Sequence, residues 1–182
     1  MGILCLFGLT SAVGQTVSQD SIPGTQQERK KTRVDLLYAD SLIRNQNIPD
    51  AQVLVGSVKF RHDSMYMFCD SAHIYEATNS FEAFENVRME QGDTLFIYSD
   101  YLYYDGMTQL AQLRNNVQLI NRNTTLYSDS LNYDRILDLG YYFEGGMLTD
   151  EENVLTSDWG EYSPATKISV FNHEVVLVNP QF

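Results

Sequence analysis

The chain repeats itself about every 30 residues, and that period limits its fold more than any other property. Asp40, Asp70, Asp100, Asp129 and Asp158 are spaced 30, 30, 29 and 29 residues apart. Each sits in a similar frame, as in Tyr98-Ser99-Asp100-Tyr101-Leu102 and Tyr127-Ser128-Asp129-Ser130-Leu131. A second ladder, Val58, Val87, Val117, Met147 and Val175, keeps the same step midway between these. Two ladders in phase mean five copies of one supersecondary unit, each burying its apolar face against its neighbours.

The unit reads as a hairpin. Apolar and polar residues alternate in Val58-Lys59-Phe60-Arg61 and Val87-Arg88-Met89-Glu90, the period of a half-buried strand. Twelve Tyr and nine Phe, with many Val, Ile and Thr, suit a pleated surface, and no stretch carries a helical stripe. Turn residues recur between the ladders, at His62-Asp63-Ser64, Gln91-Gly92-Asp93 and Asn121-Arg122-Asn123 on one side, and at Thr78-Asn79 and Asp105-Gly106 on the other. Pairs such as Gly56-Ser57, Glu85-Asn86, Asn115-Asn116 and Gly145-Gly146 precede each Val and tolerate a bulge or a left-handed backbone. The expected fold is all-β: antiparallel hairpins, bent near mid-strand, stacked into two facing sheets. The Val row, the row two residues beyond it, and Leu42, Ala72, Leu102, Leu131 and Gly160 would then form apolar stripes along the molecule. Pattern alone leaves two uses open, a packed core or a ligand groove.

Residues 1–14 read as an export signal: the run Ile3 to Leu9 is apolar, Ala12-Val13-Gly14 supplies a small-residue cleavage site, and the first nineteen residues are uncharged. Residues 15–33, polar and ending in Arg29, Lys30, Lys31 and Arg33, read as a flexible lead-in, and residues 34–182 as the repeat domain. Cys69 would then be the only cysteine of the exported chain, which leaves no internal disulfide and no multi-cysteine zinc site. A net charge of −12 makes nucleic acid a poor partner and allows at most peripheral contact with an anionic membrane. His62, His73 and His173 fall at unequal places in their repeats, so they suggest neither a triad nor a metal set and read as surface or turn residues. No catalytic residue, metal or cofactor is expected. A β-helix enzyme acting on carbohydrate would need a carboxylate pair that breaks the repeat, and none is seen.

The frame Tyr-Ser-Asp-x-Leu-x-Tyr-Asp at residues 98–105 and 127–134, followed some fifteen residues later by Asn-Val-x-Leu, resembles the OstA-like (LptA-like) family of lipopolysaccharide transport proteins. The resemblance spans residues 34 to 180 and implies a V-shaped β-jellyroll, a periplasmic location with association to the outer membrane left open, and lipid A acyl chains held in the trough. The trough-lining candidates are Val58, Phe60, Val87, Met89, Leu102, Tyr104, Val117, Leu119, Leu131, Tyr133, Met147 and Val175. Lys59, Arg61, Arg88 and Arg114 are candidates for a head-group lip. The implied partners are lipopolysaccharide or a related acylated glycolipid, and other OstA-like proteins docked end to end through edge strands. The alternative is a structural or adhesive repeat with a packed core. On the trough reading, aspartate at Met89 and Val117 would abolish lipid uptake without unfolding the chain.

Overall fold

The computed structural model describes residues 32–179. The export signal and most of the polar lead-in expected from the sequence lie outside them. Fourteen antiparallel strands of the described residues form one unclosed sheet. A first rung is made by β1 (Asp35–Tyr38) and β2 (Ser41–Arg44). Six long strands follow: β3 (Gln52–His62), β4 (Met65–Tyr75), β5 (Ser80–Gln91), β6 (Leu95–Asp105), β7 (Leu110–Asn121) and β8 (Thr124–Asp134). The last rungs are shorter pieces: β9 (Leu139–Tyr142), β10 (Gly146–Thr149), β11 (Val154–Ser157), β12 (Trp159–Ser163), β13 (Ile168–Asn172) and β14 (Val176–Val178).

The two sequence ladders meet at the bend. Pairing slips between Val55 and Val58 on β3, Phe84 and Val87 on β5, and Arg114 and Val117 on β7. At each slip two residues oppose one: Gly56-Ser57 faces Asp70, Glu85-Asn86 faces Asp100, and Asn115-Asn116 faces Asp129. Both residues of each pair have left-handed φ, 81° and 48°, 61° and 50°, and 63° and 52°. The extra residue bends the strand and increases its twist. Asp70 and Asp100 accept hydrogen bonds from Asn86 Nδ2 and Asn116 Nδ2, each at 2.6 Å, which ties one bulge to the next. The Asp ladder is therefore a bend device.

The bend folds the sheet over on itself. Half-sheet I contains β1, the Val side of each long strand, β10, β11 and β14; half-sheet II contains β2, the other side of each long strand, β9, β12 and β13. Half-sheet I turns the row Phe60, Met67, Met89, Ile97, Leu119, Leu126 and Leu148 inward, and half-sheet II the row Leu54, Ala72, Ala83, Leu102, Leu113 and Leu131. These residues belong to one buried core. Contact across it is direct, since Phe60 stacks on Phe81 with ring centroids 4.2 Å apart.

The fourth repeat departs from the expected register. Gly146, not Met147, pairs with Ser128 in the position that Val117 occupies one rung earlier, and Leu148 takes the inward place. Glu144-Gly145, with Gly145 left-handed at φ 91°, faces Asp129 as Asn115-Asn116 does one rung earlier, so Gly146 holds the landmark place; it has no side chain, and the apolar ladder in the sequence falls instead on the next residue, Met147. Met147 accordingly faces outward beside Tyr127.

Candidate functional site: the interior and its mouth

The interior between the half-sheets runs through the stacked repeats, and the structure fills it. Ten of the twelve trough candidates, Val58, Phe60, Val87, Met89, Leu102, Tyr104, Val117, Leu119, Leu131 and Tyr133, are buried in the core. Met147 faces outward, and Val175, in the last rung, is 48% exposed because no further strand covers it. The tyrosines fill the space. Along half-sheet II they alternate with small residues in the row Tyr104, Ala111, Tyr133, Gly140 and Tyr162, so each ring occupies room left by its neighbour. A Cβ on Gly140 would lie 3.3 Å from Leu119 Cδ1 of the facing half-sheet. Burial pushes the Tyr104 hydroxyl up to about 12 and raises that of Tyr133 as well, helped by its hydrogen bond to Asp138. Burial likewise pushes the Cys69 thiol up to about 12, which keeps it an inert core residue.

Opposite the bend, the turns of the two half-sheets meet at a polar seam. His62, at the tip of β3, is fully buried, which corrects its expected place on the surface. Arg135 reaches across from the loop after β8, donating from Nη1 to the Tyr104 hydroxyl at 2.7 Å and from Nη2 to the His62 carbonyl at 3.1 Å. The Tyr104 O–H can then donate to His62 Nδ1 at 2.7 Å, leaving Nε2–H for the Thr32 hydroxyl at 2.7 Å. That arrangement needs a neutral imidazole. Burial, then the Arg135 charge, pulls the His62 pKa below its usual value. Further along, Asn121 Nδ2 donates to the Tyr162 hydroxyl and the Pro164 carbonyl, each at 3.0 Å.

The four lip candidates do not form one lip. Lys59, Arg61 and Arg88 lie together on the outer face of half-sheet I, away from the seam. Lys59 sits 4.9 Å above the Tyr66 ring, Arg88 sits 4.3 Å above Phe68, and Arg61 pairs with Asp35 at 2.9 Å. Arg114 belongs to half-sheet II and donates to Leu113 O, Leu131 O and Asn132 Oδ1. The cation at the mouth is Arg135, which sequence reasoning missed. Its one signal was its place in a turn directly after the buried Tyr133 strand, a place where an arginine is ordinarily solvated.

Among the described residues, both ends of the sheet are apolar and no strand covers them. Leu42 and Ile43 of β2 are more than half exposed, as are Ile168 of β13 and Val176, Leu177 and Val178 of β14. Unpaired edges of this kind template pairing with another chain. Among the described residues no group of three or more His, Cys, Asp or Glu could hold a metal ion, and no helix is long and apolar enough to cross a membrane.

A bent, repeating β-sheet folded around a shared apolar interior, with open edges at both ends, defines a β-jellyroll module of the repeat class. The profile of the family described as OstA-like protein matches residues 31–182. The chain belongs to that family, and it is not an enzyme. Among solved structures it is similar to LptH, described as the LptA-homologous periplasmic component of the conserved lipopolysaccharide transport device from Pseudomonas aeruginosa. Identity is 12%, with 81% of this chain and 93% of that one covered and a TM-score of 0.48. No curated protein matches the chain.

Proposed function

We propose that this protein is a periplasmic component of a lipopolysaccharide transport bridge, holding acyl chains between its half-sheets and docking end to end with like proteins through its edge strands. The observation that supports this most is the continuity of the interior. The inward row that includes Phe60 runs to Leu177, which is 59% exposed, so the apolar interior reaches an end that no further strand of the described residues covers and that a second jellyroll could extend. Burial of acyl chains contributes ~0.8 kcal/mol per methylene, so a few methylenes per chain give useful affinity. The closed, tyrosine-filled interior favours a second reading, a structural repeat whose core takes no lipid.

Native mass spectrometry of the protein from an envelope fraction, before and after incubation with lipopolysaccharide, separates the two. A lipid-mass adduct supports the carrier, and a mass that stays apo supports the structural repeat. The same spectra read assembly, and Val176→Asp should reduce dimers and longer forms if β14 is a docking edge. Aspartate at Met89 and Val117 is unsuitable as a control, because both are solvent-inaccessible and two unpaired carboxylates there would unfold the chain. Ala111→Leu is the better one. It keeps the core apolar, crowds the space between Tyr104 and Tyr133 at a cost of ~1–3 kcal/mol, and should abolish the adduct.

A further inference from the structure

The seam opposite the bend is not uniform. At its first rungs a short piece of chain, Thr32 to Val34, crosses from β1 in half-sheet I to the turns of half-sheet II. The β1 ladder starts at Asp35, so this piece is held through side chains. The Val34 N–H donates to Asn79 Oδ1 at 2.9 Å, Asn79 Nδ2 donates to the Thr32 carbonyl at 3.3 Å, and the Thr32 hydroxyl meets His62 Nε2 at 2.7 Å. The Val34 side chain packs against the core from above. Along the rest of the seam the half-sheets are tied by the Arg135 and Asn121 contacts, and opposite it by the strands that run through the bend. A segment held by a few partly exposed side-chain hydrogen bonds opens at a small fraction of the global unfolding free energy, whereas a strand buried in the sheet does not.

We propose that Thr32–Val34 is a displaceable strap over a lateral portal, and that an acyl chain is admitted beneath it toward the Phe60–Phe81 stack instead of being threaded in from an end. This rests on the lipid-carrying reading above. The strap explains how an interior lined by buried, packed side chains could load. Lifting it removes the Val34 cap and the Thr32 contact to His62 while leaving every β-ladder intact. The portal then lies next to one of the two exposed edges, that of β1 and β2.

The test is Asn79→Gly. Asn79 has a left-handed φ of 54°, which glycine adopts freely, so the substitution removes both strap hydrogen bonds without disturbing the turn. Two readouts are taken on the full chain: hydrogen exchange of the Val34 amide without lipid, and stopped-flow uptake of a fluorescent dodecanoate. Both rates should rise about tenfold, the effect of losing two modest hydrogen bonds, with the amount bound at equilibrium unchanged. Thr32→Val, which cuts the contact to His62, should act in the same direction, and Tyr162→Phe, at the far end of the seam, should not change uptake. Faster Val34 exchange with an unaltered uptake rate overturns the strap and leaves the carrier reading standing. So does unchanged Val34 exchange, or an equal gain from Tyr162→Phe. A wild-type protein that takes up no probe overturns both.

Discussion

Phe60→Ala probes whether the interior is a packed core or an open groove. Phe60 has no solvent exposure and stacks on Phe81 across the two half-sheets, with centroids 4.2 Å apart and rings inclined by 22°. Truncating a fully buried phenylalanine costs ~3–5 kcal/mol, the sum of the lost transfer energy and the cavity left behind. The ring pair itself accounts for ~0.5–1.5 kcal/mol of that. A phenylalanine lining a water-filled trough would lose far less, because one face would already be solvated. Urea unfolding, followed by fluorescence of Trp159 and the tyrosines, measures the difference. The expected result is a loss of ~3–5 kcal/mol with an unchanged denaturant slope, and a double-mutant cycle with Phe81→Ala coupled by ~1 kcal/mol. A loss below ~1.5 kcal/mol with no coupling would refute the closed interior.

Two further outcomes follow from the seam and the bend. The folded-state pKa of His62 is depressed, so unfolded chains bind the extra proton first as pH falls. Its contribution to stability is thus complete above the ordinary histidine value of ~6.5 and is lost as pH drops through the lower folded value. Urea midpoints between pH 5 and 8 should show that acid-side decline, and His62→Gln should flatten it; an unchanged slope in the variant would place the titration elsewhere. Gly56→Ala places a Cβ 2.2 Å from Asp40 Oδ2 at a φ of 81°, so it should cost ~1–3 kcal/mol, read as a lower Tm, while Ser57→Gly at φ 48° in the same bulge should cost little or nothing.

The repeat, the strands, the turns and the bend are legible in the order of residues. Those are local matters: a bulge needs two residues that tolerate left-handed φ, and Gly56-Ser57 and Asn115-Asn116 announce them wherever they fall. The resemblance carried by the Tyr-Ser-Asp frames likewise lay in residues adjacent in the chain. Tertiary structure alone decided what happens between the half-sheets. Whether Tyr104 and Tyr133 line a gap or fill it depends on the small residues across from them, Ala111 and Gly140, and on how closely Leu119 approaches from the other side. Gly146, which pairs with Ser128 where Val117 does one rung earlier, holds the landmark place of the fourth repeat, and Met147 beside it faces outward; a ladder of apolar residues that is off by one place does not show this, because side-chain direction alternates with each residue. Thr32, His62, Tyr104 and Arg135 are bonded to one another across 30 to 73 residues of chain and look like separate turn and strand positions in it. Folding the sheet brings them together, and their burial, which gives the cluster its physical character, exists only once both half-sheets are in place.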